Sequence, residues 1–327
     1  MARRQLSPRA RARAHWLRAM ALSKLSGDEQ GIILGQLCNT LEPRLAVYFG
    51  SASSELRALL TPALRQQLRA DHEVAAALCR KVGLRSCKEL REAKEINLRA
   101  KDDSDLVTLG ALGSVLPALE KLELAEVIDW SSFQWLARNV HGVQRLAEGL
   151  GAGALPNMMC MHINSVHVGD AGASALAAAL DRGALPRLKS LGLSENDIGD
   201  AGLVALAPVL RRRFALECLN LMGNPCGDEG LAALLAPLQT AGALLPQAGG
   251  LAKLRGLGLH GTQVSDAGCA ALVAALDSGA LPALKTVFVY DDWESSGGER
   301  SAAATATVRE ALDKLESRRA DLARSLC

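Results

Sequence analysis

Between Leu185 and Leu210 the chain reads LPRLKSLGLSENDIGDAGLVALAPVL. Leu188, Leu191, Leu193 and Asn196 set an L-x-x-L-x-L-x-x-N cadence of strand and turn, and Ile198, Leu203, Leu206 and Leu210 follow at helical spacing. The first strand position recurs at Leu119, Met158 (a substitute), Leu188, Leu216, Leu254 and Leu284, in steps of 39, 30, 28, 38 and 30 residues. Twelve residues on, four copies carry an acid, Asp170, Asp200, Asp228 and Asp266, and two residues later Gly172, Gly202, Gly230 and Gly268. One such unit cannot bury its apolar face alone, so the copies must stack on one another.

A step of 28–30 residues with a full helix in each copy resembles the ribonuclease-inhibitor type of leucine-rich repeat, also found in NOD-like receptors and Ran GTPase-activating proteins. The resemblance covers about residues 105–317. It implies an α/β fold, a curved solenoid with parallel strands inside and helices outside; helical spacing in the residues before it adds a small N-terminal all-α domain. Composition agrees. Aromatics make up 3% of the chain against 49% for the apolar set as a whole, so Leu, Ala and Val must build the core. That suits identical stacked layers. A net charge of +2 supplies no global field that would select nucleic acid.

The division expected is a basic tail over residues 1–24, a helical domain over 25–104, repeats over 105–300 and a capping helix over 301–327. The tail carries Arg3, Arg4, Arg9, Arg11, Arg13, Arg18 and Lys24 and no acid; a solvated arm, a nucleic-acid-binding arm and an organelle transit peptide all fit that pattern. Ser26 and Glu29 fit a capping box at a helix start. The order Leu25-Ser26, Asp28-Glu29, Ile32-Ile33-Leu34, Leu37, Leu41-Glu42-Pro43, Leu45-Ala46 resembles an F-box, with Ser26 where that family usually has Pro and without its later Trp. The resemblance implies that residues 25–60 hold a Skp1-like adaptor; a purely structural cap for the solenoid is the alternative. Helical spacing continues through Leu64, Leu68, Val74, Leu78, Leu84 and Leu90, and charge-rich Lys88–Asp105 reads as the boundary. Leu106, Leu109 and Leu112 make the helical half of an incomplete opening repeat. Two insertions, Trp130–Asn139 and Gln239–Gly250, account for the two long steps.

Eight cysteines show no C-x-x-C and no metal-like Cys/His spacing; Cys226 and Cys269 replace the core residues Ile198 and Leu203 of the neighbouring copies. Thiols used for packing, with no secretory signal and no apolar run long enough for a membrane span, point to the cytoplasm or nucleus. The recurring aspartates stand just before alanine-rich helices and read as N-caps of those helices. Gly149–Gly153 follows a helix where a phosphate loop would follow a strand. No histidine sits with a nucleophile, so no catalytic residue, cofactor or metal site is expected.

What remains is a protein-binding surface. Strand alternation turns the residues between the leucines to the concave face. The candidates are His162, Asn164, Ser194, Asn220, Met222, His260, Phe288 and Tyr290, with Trp293 nearby; Phe288 and Tyr290 flank the inward Val287 and Val289. The function expected is a non-enzymatic interaction scaffold for a protein partner. A substrate-recruiting subunit of an SCF-type ubiquitin ligase is the alternative, and a Ran-type GTPase-activating protein the lesser one. The last family ends in a long acidic tail, and this sequence has none.

Overall fold

The computed structural model describes residues 39–42, 44, 47–48, 51, 60–100, 103–126, 128–129, 134–135, 141–212, 215–236, 251–289 and 301–325. The chain packs as two compact units, residues 1–80 with 85–88 and residues 81–84 with 89–327. In the first, helix α1 (Pro62–Lys81) opens with Pro62 at its first position, and the Thr61 hydroxyl accepts the Leu64 N–H at 3.2 Å. Leu68, Ala75 and Leu78 form its buried stripe. Val74, expected among the apolar positions, is 50% exposed, because the stripe follows Leu68 to Ala75 instead. A short α2 (Cys87–Glu92) follows. The F-box-like residues 25–38 and the basic tail lie outside the described residues.

The second unit is a leucine-rich-repeat solenoid. Its strands are β1 (Glu95–Ala100), β2 (Lys121–Glu126), β5 (Cys160–Asn164), β6 (Ser190–Gly192), β7 (Cys218–Asn220), β8 (Gly256–Gly258) and β9 (Thr286–Phe288). They form one parallel sheet in that order. The intervening helices are α3 (Asp103–Leu112), α4 (Gly142–Gly149), α5 (Gly169–Asp181), α6 (Asp200–Arg212), α7 (Asp228–Leu235) and α8 (Asp266–Asp277). Parallel neighbours require such crossovers. A small antiparallel hairpin, β3 (Ile128–Asp129) with β4 (Gln134–Trp135), straddles the start of the first insertion; Trp130, Phe133 and all of 237–250 lie outside the described residues.

The sheet starts earlier than the leucine count implies. Lys88–Asp105, expected to be a boundary, contains α2 and β1, and β1 pairs with β2 along its whole length. The reason is alternation: Ile96 and Leu98 are buried while Glu95 and Arg99 face outward, so the charges crowd one face of a strand. Ala93 stands where the other copies have Leu or, once, Met158, which hid the repeat. The opening repeat is therefore complete.

Inside, Leu191 and Leu193 and their counterparts from β1 to β8 are fully or nearly fully buried; in the last layer Val289 is buried and Val287, with no further described strand beside it, is half-buried. Buried Asn196 and Asn224 satisfy the turn that follows each strand. Asn196 Oδ1 accepts Val166 N–H at 3.0 Å, and its side-chain amide donates to the Ile163 and Ser194 carbonyls. Asn224 repeats the pattern one layer on, accepting from Asn196 and Ile198 N–H and donating to Leu193 and Leu221. Thr262 takes this place next, donating to the Leu259 carbonyl at 2.6 Å.

The aspartates do not cap their own helices. Asp170 Oδ1 accepts Gly199 N–H (2.8 Å) and Gly202 N–H (2.9 Å), both in the following repeat. Asp200 does the same with Gly227 (2.7 Å) and Gly230 (2.8 Å). Asp228 takes Ser265 N–H, and Asp266 takes Ser301 N–H at 2.7 Å. Each carboxylate thus caps the helix of the next layer. This also explains the glycine two residues after each acid. A Cβ at Gly202, Gly230 or Gly268 would stand 2.5, 2.8 or 2.2 Å from the carboxylate of the preceding repeat. At Gly172, whose preceding layer offers no such acid, the added atom would meet Val168 instead. The ladder ends on α9 (Ala302–Ser325), whose Ser301 hydroxyl accepts Ala304 N–H and whose Val308, Ala311 and Leu315 are buried. Arg319 donates to the carbonyls of Pro282 and Leu284.

Candidate functional site

Strand register places the outward side chains in rows across the sheet. One row runs Glu95, Lys121, Cys160, Ser190, Cys218, Gly256, Thr286. The next runs Asn97, Glu123, His162, Gly192, Asn220, Gly258, Phe288. His162 and Asn220 therefore share a row with Phe288, as alternation predicts. Asn164 pairs with Ala125 in the following row, and Ser194, Met222 and His260 occupy the equivalent places just beyond their short strands. Tyr290 and Trp293 lie outside the described residues.

The middle of this face is flat. An added Cβ at Gly192 would meet the His162 ring at 3.0 Å, one at Gly256 the Cys218 Sγ at 3.0 Å, and one at Gly258 the Asn220 Oδ1 at 2.4 Å and Met222 Cγ at 3.1 Å. The larger side chains thus lie over the glycines of the next strand. Gly192 and Gly258 are consequently buried, although their strand positions face outward. Asn220 is held by accepting Met222 N–H at 3.1 Å, and Asn164 by accepting Ser194 N–H at 3.3 Å.

At the β1 end the face is charged and internally paired. Lys121 Nζ lies 2.8 Å from both Glu95 and Glu123. Asn97 donates to Glu123 at 3.0 Å, His162 Nδ1 stands 3.8 Å from Glu123, and His162 Nε2 is 3.2 Å from the Ser190 hydroxyl. The hydrogen bond from Lys121 holds the Glu123 carboxyl below the ordinary range, and the bonds to Glu123 and Glu95 push the lysine ammonium up. Glu95 and Asn97 could not be found while β1 was hidden; the signals were the alternation of Ile96 and Leu98 and the twelve-residue count from Ala93 to Asp105. That Asp105 carboxylate is buried and meets Lys81 Nζ at 2.6 Å.

The β9 end differs. Phe288 is 44% exposed and is the one aromatic among the exposed large apolar side chains of the described sheet. Along the edge of the face, Lys189 and Arg255 each lie 3.6 Å from Glu217, and exposed Lys285 follows on the β9 side. On the opposite rim, the Ser165 hydroxyl donates to Glu195 at 2.8 Å and His167 Nδ1 lies 2.6 Å from Asp197. Ser165, Glu195, Gly223 and Gly261 all have positive φ, between 55° and 67°, at the same place in successive turns.

Among the described residues no group of three or more His, Cys, Asp or Glu is placed to hold a metal ion, and no helix is long and apolar enough to cross a membrane. The stacked strand-and-helix layers of this unit are leucine-rich repeats. The Leucine Rich repeat family profile matches residues 185–207 and 215–235. No curated protein matches the chain significantly. Among solved structures, the chain is similar to leiomodin-1 actin-binding site 2, with 14% identity, a TM-score of 0.34, and 68% of this chain and 97% of that one covered. It is also similar to an internalin (inlF) from Listeria monocytogenes, with 12% identity, a TM-score of 0.25, and 73% and 92% covered.

Proposed function

We propose that the chain is a non-enzymatic scaffold that binds a protein partner on the concave, strand-lined face and the rim of its repeats. The observation that carries this reading is the exposed Phe288 at the β9 end of a flat polar face. A flat face suits a folded protein surface better than a small molecule. An exposed aromatic on such a face suits a partner that offers an apolar contact. Seven strands at ~4.8 Å spacing span roughly 34 Å. With about 10 Å of open strand the projected sheet is roughly 340 Å², below the ~800 Å² per partner of a specific interface. The rim residues Ser194, Met222, His260 and Glu195 are therefore part of the surface, as are His162, Asn164 and Asn220 within it.

The test is a partner recovered on the immobilised wild-type chain and then titrated against variants. Phe288→Ala should keep its melting temperature and weaken binding by about 2 kcal/mol, near thirtyfold. Val204→Asp on the helical side should bind normally. Equal binding by Phe288→Ala, with loss in Val204→Asp, would move the site to the helices.

Two narrower readings rest on sequence. The repeats follow the ribonuclease-inhibitor type in length, which the Ran-type GTPase-activating proteins share, and a cytoplasmic or nuclear setting follows from thiols used for packing. Residues 25–60 carry the F-box-like order, and the scaffold would then recruit substrates to an SCF-type ligase through a Skp1-like adaptor. For that reading Leu37→Asp should abolish adaptor binding in a pull-down while the repeats keep their melting temperature. Unchanged adaptor binding would leave these residues as a structural cap.

A further inference from the structure

The first unit holds a pair of thiols that the repeat face does not involve. Cys79, in the last turn of α1, and Cys87, the first residue of α2, bring their Sγ atoms to 3.8 Å, and both are free. Cys87 lines a pocket of about 490 Å³ together with Leu41, Glu42, Arg44, His72, Ser86 and Lys88; Cys79 is not on its wall. His72 Nδ1 lies 2.7 Å from the Thr40 carbonyl, which can only accept, so this nitrogen carries the proton. The same N–H edge stands 3.9 Å from Cys87 Sγ. Arg44, Lys88 and Glu42 give the pocket lining a net positive formal charge.

We propose that Cys87 and Cys79 form a reversible oxidation site for a small anionic disulfide of the glutathione class, with Cys87 reacting first and Cys79 resolving. In the first step the Cys87 thiolate, its proton lost to solvent, attacks one sulfur of the small disulfide. The Cys87–sulfur bond forms, the small disulfide's S–S bond breaks, and one thiolate leaves. In the second step Cys79 loses its proton, attacks the Cys87 sulfur and expels the second thiolate. The protein's two thiols are oxidised by two electrons, and the small disulfide is reduced to two thiols. Closure shortens the sulfur separation from 3.8 Å to the ~2.05 Å of a disulfide. The order follows from access: Cys87, buried at 8% exposure, still lines the pocket, whereas Cys79, at 2%, does not. Burial and the neighbouring Cys87 push the Cys79 thiol up to about 12, so the resolving step is the slow one and quickens with alkali.

The full chain is incubated with glutathione disulfide, digested with trypsin without reduction and mapped by mass spectrometry. Wild type should yield residues 70–80 joined to the Cys87 peptide, two hydrogens lighter than the separate peptides. Cys79→Ser should stop at a glutathione adduct on Cys87, and Cys87→Ser should leave Cys79 unmodified. Exposed Cys218 should gain glutathione in every sample and so reports that the oxidant is active. Arg44→Ala with Lys88→Ala should slow the Cys87 reaction several-fold with glutathione disulfide but not with neutral hydroxyethyl disulfide. The proposal is overturned if Cys218 reacts while Cys79 and Cys87 of folded wild type stay reduced. It is equally overturned if Cys79 takes glutathione in Cys87→Ser, or if both disulfides slow alike in the pocket variant.

Discussion

Asp200→Ala tests the inter-repeat ladder at its centre. Asp200 Oδ1 is the acceptor for Gly227 and Gly230 N–H at 2.7 and 2.8 Å, and these donors open α7. Hydrogen bonds to a charged group contribute ~1.5–3 kcal/mol each, and loss of a cap costs about 1–2. One oxygen shared by two donors places the total near 2–3 kcal/mol, read by urea unfolding. Location separates this account from self-capping. Hydrogen exchange should accelerate at the Gly227 and Gly230 amides, while Leu203 N–H, bonded to the Gly199 carbonyl at the start of α6, keeps its protection. A second substitution sharpens the point. Gly230→Ala puts a methyl 2.8 Å from Asp200 Oδ1 and 3.0 Å from Leu203 Cδ2. In wild type it should destabilise; in Asp200→Ala the carboxylate clash is gone and the helix preference of alanine, ~1 kcal/mol, offsets part of the rest. The pair should therefore couple by more than 1 kcal/mol. Additive effects, with exchange raised in α6 and not in α7, would refute the ladder.

Leu193→Ala removes a fully buried side chain from the middle layer and should cost about 2–5 kcal/mol, with exchange rising in both neighbouring repeats; an unchanged melting temperature would contradict the register. Glu123 should titrate below the ordinary value of 4.5 by carboxyl NMR, and Lys121→Met should return it upward. Because the folded-state pKa is lowered, the contribution of this pair is complete above the unfolded glutamate value. It is lost as pH falls through the folded value, and added salt should shrink it, since both groups are partly exposed. A Glu123 midpoint unaffected by Lys121→Met would remove Lys121 as its cause.

The sequence by itself determined the layered architecture, because burying leucines at fixed spacing leaves one way to close each unit's apolar face. It also determined which residues face outward: His162, Asn220 and Phe288 share a row because strand alternation is local chemistry. Tertiary structure decided what depends on a neighbour. β1 carries only Ile96 and Leu98 as inward residues behind Ala93, and its charges resemble a linker until β2 pairs with it. The aspartates stand where N-caps stand in sequence, yet each carboxylate meets donors 27–37 residues further on. The flatness of the open face is likewise a property of pairs, since Gly258 is buried only when Asn220 and Met222 lie across it. Cys79 and Cys87 are eight residues apart on two helices, and only the turn between those helices brings the sulfurs together. Periodicity encodes the direction of a side chain; the partner it meets is fixed when the layers stack.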